Sequence, residues 1–141
     1  STTLVEDWVA SVEGILANSL LKLLERNRHN RMAFEYLMAY YMLTGKLEQI
    51  VSNIYRLDDF EYNGIPRHYE EAILLYMSIT GKKVNLYGRR ISGESLKRFN
   101  QFNSLYHRLK NDMRAAGKAL GPDFGDSYFF YYVFYGTGVS R

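Results

Sequence analysis

The sequence predicts an all-α fold of about six helices paired into antiparallel hairpins. Three observations carry that expectation. Apolar residues recur three and four apart over long stretches, the spacing that lines up one side of a helix. A Gly-Lys pair recurs as Gly45-Lys46, Gly81-Lys82 and Gly117-Lys118, at a constant interval of 36 residues, and periods of that size mark stacked helical hairpins. With the glycines aligned, Leu37, Ile73 and Leu109 share one position and Tyr41, Met77 and Met113 share another, four residues later.

The elements follow in order. Thr3-Leu4-Val5-Glu6 has the pattern of a capping box, so a first helix is expected from Leu4 to Glu25 with Trp8, Val12, Ile15, Leu16, Leu20 and Leu23 buried. Asn30 is placed to cap a second helix reaching Thr44, with Phe34, Leu37, Met38 and Tyr41 inward. Lys46 to Leu57 is its partner, through Leu47, Ile50, Val51 and Ile54. Each glycine of the repeat falls just past an apolar helical pattern, where a left-handed cap costs glycine nothing sterically. Asp58 to Ile65 is a polar connection with an Asn63-Gly64 turn, and Pro66 suits the first position of a fourth helix ending at Thr80. The next half-hairpin, around Asn85 to Arg90, is short and interrupted by Gly88, which predicts an irregular segment or a single turn. From a cap at Ser92 one long helix is expected to reach Ala116, its stripe formed by Phe99, Phe102, Tyr106, Leu109, Met113 and Ala116, with Gly117, Gly121 and Pro122 ending it. Asp126 or Ser127 then caps a short aromatic segment, Tyr128 to Tyr135, expected to lie against the earlier helices as a helix or a buried strand.

Composition narrows the function classes. The 141 residues suit one domain. No run of about 18 apolar residues occurs, so no membrane-spanning helix is expected within the chain. The first residue is Ser1 and no basic stretch precedes an apolar one, which points to a processed chain or a part cut from a larger protein. With no cysteine, disulfides, thiolate nucleophiles and Cys-ligated zinc are excluded. The net charge of +3 is unevenly spread: residues 1–81 hold seven Lys/Arg against eleven Asp/Glu, and residues 82–118 hold ten against two.

Residues Phe34-x2-Leu37-x3-Tyr41-x3-Gly45-x4-Ile50-x3-Ile54 resemble the tetratricopeptide pattern in spacing, without its small residues where helices approach closely. More specifically, Asn30-Arg-Met-Ala-Phe-Glu-Tyr-Leu-Met-Ala-Tyr-Tyr41, Ile65-Pro-Arg-His-Tyr-Glu-Glu-Ala-Ile73 and Gly125-Asp-Ser-Tyr-Phe-Phe-Tyr-Tyr132 resemble a membrane-anchored family of gut-bacterial proteins, a domain of unknown function. That family places a multi-span hydrophobic region ahead of a soluble helical C-terminal region. The resemblance implies that this chain is the soluble C-terminal part of a bacterial inner-membrane protein, and it implies no cofactor and no catalytic residues. Residues 1–29 match it less closely.

The candidate sites divide by chemistry. His29, His68 and His107 fall on different predicted elements with no metal-ligand spacing between them. His68 has Glu71 one helical turn away, in what otherwise reads as a solvated helix start with acids near its positive end. Asp58, Asp59 and Glu61 cluster in a loop without the alternating order that wraps calcium. Ser19-Leu-Leu-Lys22 lies mid-helix without the companion motifs of acyl-transferring enzymes. Gly136-Thr-Gly138 lacks the third glycine and the following helix of a phosphate loop. Lys97, Arg108, Arg114 and Lys118 are expected opposite the long helix's apolar stripe, and Arg89 and Arg90, which precede that helix, extend the positive face. Such a face attracts an acidic protein, a phosphate-bearing polymer or an anionic membrane surface, or else is simply solvated or balances the acidic first half. Tyr36 and Tyr40 fall away from the centre of their stripe, as groove-lining or core-edge residues. The resulting expectation is a non-catalytic module that binds a protein or peptide. The alternative is an enzyme domain acting on a cell-envelope glycan through Asp58 paired with Glu61 or Glu70. Nucleic-acid binding has no supporting motif.

Overall fold

The computed structural model describes residues 2–136, all helical or connecting, with no strand among them. Seven α-helices follow in order: α1 (Thr2–Arg26), α2 (Arg31–Leu43), α3 (Leu47–Ser52), α4 (Arg67–Thr80), α5 (Gly93–Leu109), α6 (Met113–Phe124) and α7 (Tyr128–Tyr131). A 3₁₀ segment, Ile54–Phe60, extends α3, and a π-helical turn, Tyr132–Gly136, extends α7. Neighbours pack as α1 on α2, α3 on α4 and α5 on α6, while α4 also touches α5 and α7. An element surrounded in this way must be apolar on nearly every side. Accordingly Ala72 through Tyr76 of α4 are buried without interruption, and the two glutamates before them, Glu70 and Glu71, are buried as well.

The first hairpin forms as its residues dictate. The Asn30 side chain accepts a hydrogen bond from the Ala33 N–H at 3.1 Å, capping α2, and Phe34, Leu37, Met38 and Tyr41 are buried. Gly45 has φ +68°, and a Cβ there would meet the Gly136 carbonyl oxygen at 2.8 Å. Two separate reasons therefore exclude a side chain at this position. Gly45→Val is expected to cost about 2 kcal/mol from the left-handed conformation alone, measured as a lower urea midpoint at unchanged m. An unaltered midpoint would show that the turn adjusts freely.

Gly81 is also left-handed, φ +70°, and caps α4 through its N–H to the Met77 carbonyl. The second hairpin lacks a partner helix directly after it. Residues 81–92 form an irregular connection with a turn at Tyr87-Gly88, where the Asn85 side chain accepts from the Tyr87 N–H. The loop before α4 bends at Asn63-Gly64 and also turns at Glu61, φ +56°. Pro66 is the residue before the first turn of α4, not its first member.

The 36-residue repeat fails at its third glycine. The single helix expected from Ser92 to Ala116 breaks at Lys110–Asp112, because the Asp112 side chain leaves the helix to accept from the Ala115 N–H and cap α6. Asparagine and aspartate compete with helical backbone bonds in this way. Gly117, Gly121 and Pro122 accordingly lie inside α6 and do not end α5. The two glycines admit the C-terminal rings instead: the Phe134 ring lies 3.6 Å from where a Gly117 Cβ would sit, and Phe130 lies 3.9 Å from that of Gly121.

The largest departure concerns α1. It begins at Thr2, ahead of the Thr3 expected to cap it, and the Thr3 side chain lies outside the described residues. Of the six residues expected to be buried only Leu20 is, together with Ala17 and Leu24, whereas Trp8, Val12, Ile15, Leu16 and Leu23 are exposed. Periodicity shows that a helix has an apolar row, and α1 has two. The fold covers the row beginning at Ala17.

The aromatic C-terminal segment is helical. Ser127 caps α7 by accepting from the Phe130 N–H, and Phe129 and Tyr128 are buried in the common core.

Candidate functional site

The adjacent Glu70 and Glu71 of α4 are buried carboxylates, each held by partners from other elements. Successive helical residues point about 100° apart, so the two carboxylates serve different neighbours. Glu70 accepts hydrogen bonds from the Ser92 N–H and from the hydroxyls of Ser92 and Ser95, at 3.2 and 2.8 Å. It thereby holds the start of α5. The Glu71 side chain is 1% exposed and accepts from the Tyr128 N–H at 2.9 Å, holding the start of α7. His68 Nδ1 lies 2.9 Å from the same oxygen. The other Glu71 oxygen is 3.8 Å from Arg67 Nε and 3.8 Å from Arg98 Nη1. Both arginines continue to Asp126, whose carboxylate is 2.9 Å from Arg98 Nη2 and 3.5 Å from Arg67 Nη1. The Arg98 hydrogen bond holds the Asp126 carboxyl below its usual range. Far from a solvated helix start, this network fastens α4, α5 and the α6–α7 junction together.

The basic residues separate into two groups. Arg89 is a structural cation, its side chain 12% exposed and its Nη1 2.6 Å from Asp58 Oδ1, with Nη2 donating to the Tyr62 carbonyl. Arg90, Lys97, Arg108, Arg114 and Lys118 are exposed. Lys97 and Arg108 belong to α5, and Arg114 and Lys118 belong to α6. The helix break between them removes the single wheel that put all of them opposite one stripe. Arg114 and Lys118 flank a shallow pocket with Phe130 and Phe134.

The tyrosines also divide. Tyr36 is 61% exposed. Tyr40 lines an open cleft of about 760 Å³ with Tyr131, Tyr132, Tyr135, Glu13 and Lys46. The sequence singled out Tyr40 alone of these four tyrosines, because the other three come from the opposite end of the chain. Tyr128 and Tyr131 donate their hydroxyls to the Met42 and Leu43 carbonyls at 2.6 and 2.8 Å. Burial pushes the Tyr69 and Tyr128 hydroxyls well above their ordinary value of 10.0. The stability they contribute is complete below pH 10 and falls as the pH rises above it, since the unfolded chain then releases protons that the folded one retains. Burial also raises the Tyr41 and Tyr62 hydroxyls, and phenolate absorbance is expected to show a late-titrating group of tyrosines, Tyr69 and Tyr128 last, that appears together with alkaline unfolding.

The remaining candidates do not converge. His29 and Asp59 meet through the His29 ring and the Asp59 carbonyl, 3.2 Å apart, while His107 lies far from both on α5, beside Phe99, Phe102 and Tyr106 in a pocket of about 330 Å³. Among the described residues no cluster of three His, Asp or Glu side chains is arranged to hold a metal. Ser19 donates to the Ile15 carbonyl within α1. Thr137 and Gly138 lie outside the described residues. No described helix is long and apolar enough to cross a membrane.

An all-α domain tied together by a buried charge network, with an open apolar helix face, is the class of protein these observations define. The profile of a family of unknown function (DUF6057) matches residues 5–135, and the chain belongs to that family. No curated protein and no solved structure matches it.

Proposed function

We propose that this chain is a non-catalytic protein-interaction module that docks its partner along α1. The exposed apolar row of that helix carries the reading: Trp8 is 68% and Ile15 66% exposed, and a solvent-facing tryptophan within a continuous apolar row marks an interaction site in a folded protein. Two of the carboxylates named for the glycan-enzyme alternative already have partners, Asp58 with Arg89 and Glu70 with Ser92 and Ser95, which weighs for the interaction reading. The sequence resemblance supports a tetratricopeptide-like region of a parent in a gut-bacterial inner membrane. The exposed cations Arg90, Lys97, Arg108, Arg114 and Lys118 suit an acidic partner or an anionic membrane surface as a secondary contact.

A photo-crosslinking residue in place of Ile15 tests the docking face in the source cell. A discrete protein adduct, lost when Trp8→Ala is added, is the expected result. Absence of any protein adduct would refute docking through α1.

A further inference from the structure

We infer that the furrow between α4 and α5 binds a small flat heterocycle with a donor and an acceptor side by side on one edge, the chemistry of a purine base and of adenine above all. Among the described residues none from α1 lines it, so the site stands apart from the docking face.

The furrow follows from the way the two helices are joined. Glu70 near the start of α4 holds Ser92 and Ser95 at the start of α5, and later residues of both helices line one cavity, so they run side by side in the same direction. Residues 81–92 make the return between them. Toward the far ends the facing rows no longer meet. Leu75, Ser78 and Ile79 of α4 face Phe99, Phe102, Asn103, Tyr106 and His107 of α5 across a space of about 330 Å³, and Tyr132 and Val133 of the last turn complete the wall. Within each helix these residues recur three and four apart, as one face does. The volume falls at the small end of the range for ligand sites, roughly 300–1,000 Å³. Leu75, Phe99 and Phe102 are buried and form the deep side, Asn103 and Tyr106 are half-buried, and Ser78, Ile79 and His107 are exposed at the mouth.

Two features select the occupant. The rings of Phe102 and Tyr106 lie nearly parallel, 6° apart in plane with centroids at 6.0 Å, and such aromatic surface is what flat bases stack on. The other feature is the Asn103 carboxamide. Among the described residues neither it nor the Ser78 hydroxyl has a hydrogen-bond partner. A carboxamide carries a donor and an acceptor side by side, and adenine offers the matching pair on one edge. A purely apolar occupant would shut water away from Asn103 and leave it unpaired, which costs free energy, whereas a heterocycle edge replaces the lost water bonds. Among the described residues no Lys, Arg, Asp or Glu lines the cavity, so the enclosed part of the ligand is uncharged.

Isothermal titration of the whole chain with adenine, and with indole as a flat apolar control of similar size, tests the inference. The expected result is saturable binding of one adenine per chain, with indole weaker by about tenfold or more. Asn103→Leu should reverse that order, losing adenine while keeping indole. Ile79→Trp should block the mouth and abolish both. Neither side chain belongs to the buried core, so both variants should keep the wild-type circular dichroism and melting temperature, which separates lost binding from lost folding. Absence of adenine binding at millimolar concentration overturns the inference, and so does adenine binding indifferent to Asn103→Leu or to Ile79→Trp. Indole bound by the wild type as tightly as adenine overturns it in favour of an apolar ligand.

Discussion

Glu71→Ala is expected to destabilise the domain by about 3–5 kcal/mol, the range for removing one member of a buried charge network. The substitution strands the buried Tyr128 N–H and removes the anion that Arg67 and Arg98 share with Asp126. Whole-domain stabilities are about 5–15 kcal/mol, so the variant should lose a large share of its margin. Glu71→Gln keeps an acceptor for the Tyr128 N–H while losing the charge, and should fall between alanine and wild type. Urea unfolding followed by circular dichroism measures both. Equal midpoints for all three proteins would show that the network contributes nothing net.

Phe129→Ala is expected to cost about 3–5 kcal/mol by emptying a space the surrounding helices cannot close. Phe129 is fully buried, with its ring 5.1 Å from that of Phe99 and 5.6 Å from that of Phe102. The neighbouring Phe130 and Phe134 are only half-buried and should cost less when truncated. Thermal unfolding of the three alanine variants checks the order. If Phe130→Ala proves the most damaging, the segment is held by its α6 contacts rather than by the core.

Local chemistry was legible in the sequence wherever one segment decided its own fate. Asn30, Ser92 and Ser127 cap helices through bonds to residues three positions on, and Gly45 and Gly81 take left-handed turns. The break at Asp112 was equally local, since Asn111-Asp112 is a cap signal, but the apolar stripe running through it is the stronger pattern. What periodicity cannot carry is the choice of partner. It finds both rows of α1 without saying which one α2 covers. It leaves Arg89 on a positive face, because the acid that holds it lies 31 residues away. It leaves Glu70 and Glu71 solvated, because Ser92, Ser95 and Tyr128 reach them only after the chain folds back.

The bonds from Tyr128 and Tyr131 to the end of α2 set an order on folding. Helix-terminal carbonyls otherwise need water or a cap, and these two are met by hydroxyls 86 and 88 residues further along the chain. Before α7 is in place α2 can pair with α1 and α3, yet its last turn has no lid and Glu71 of α4 lacks its bond from the Tyr128 N–H. Closure by α7 rests on contacts between residues far apart in the chain, the kind that form late in folding.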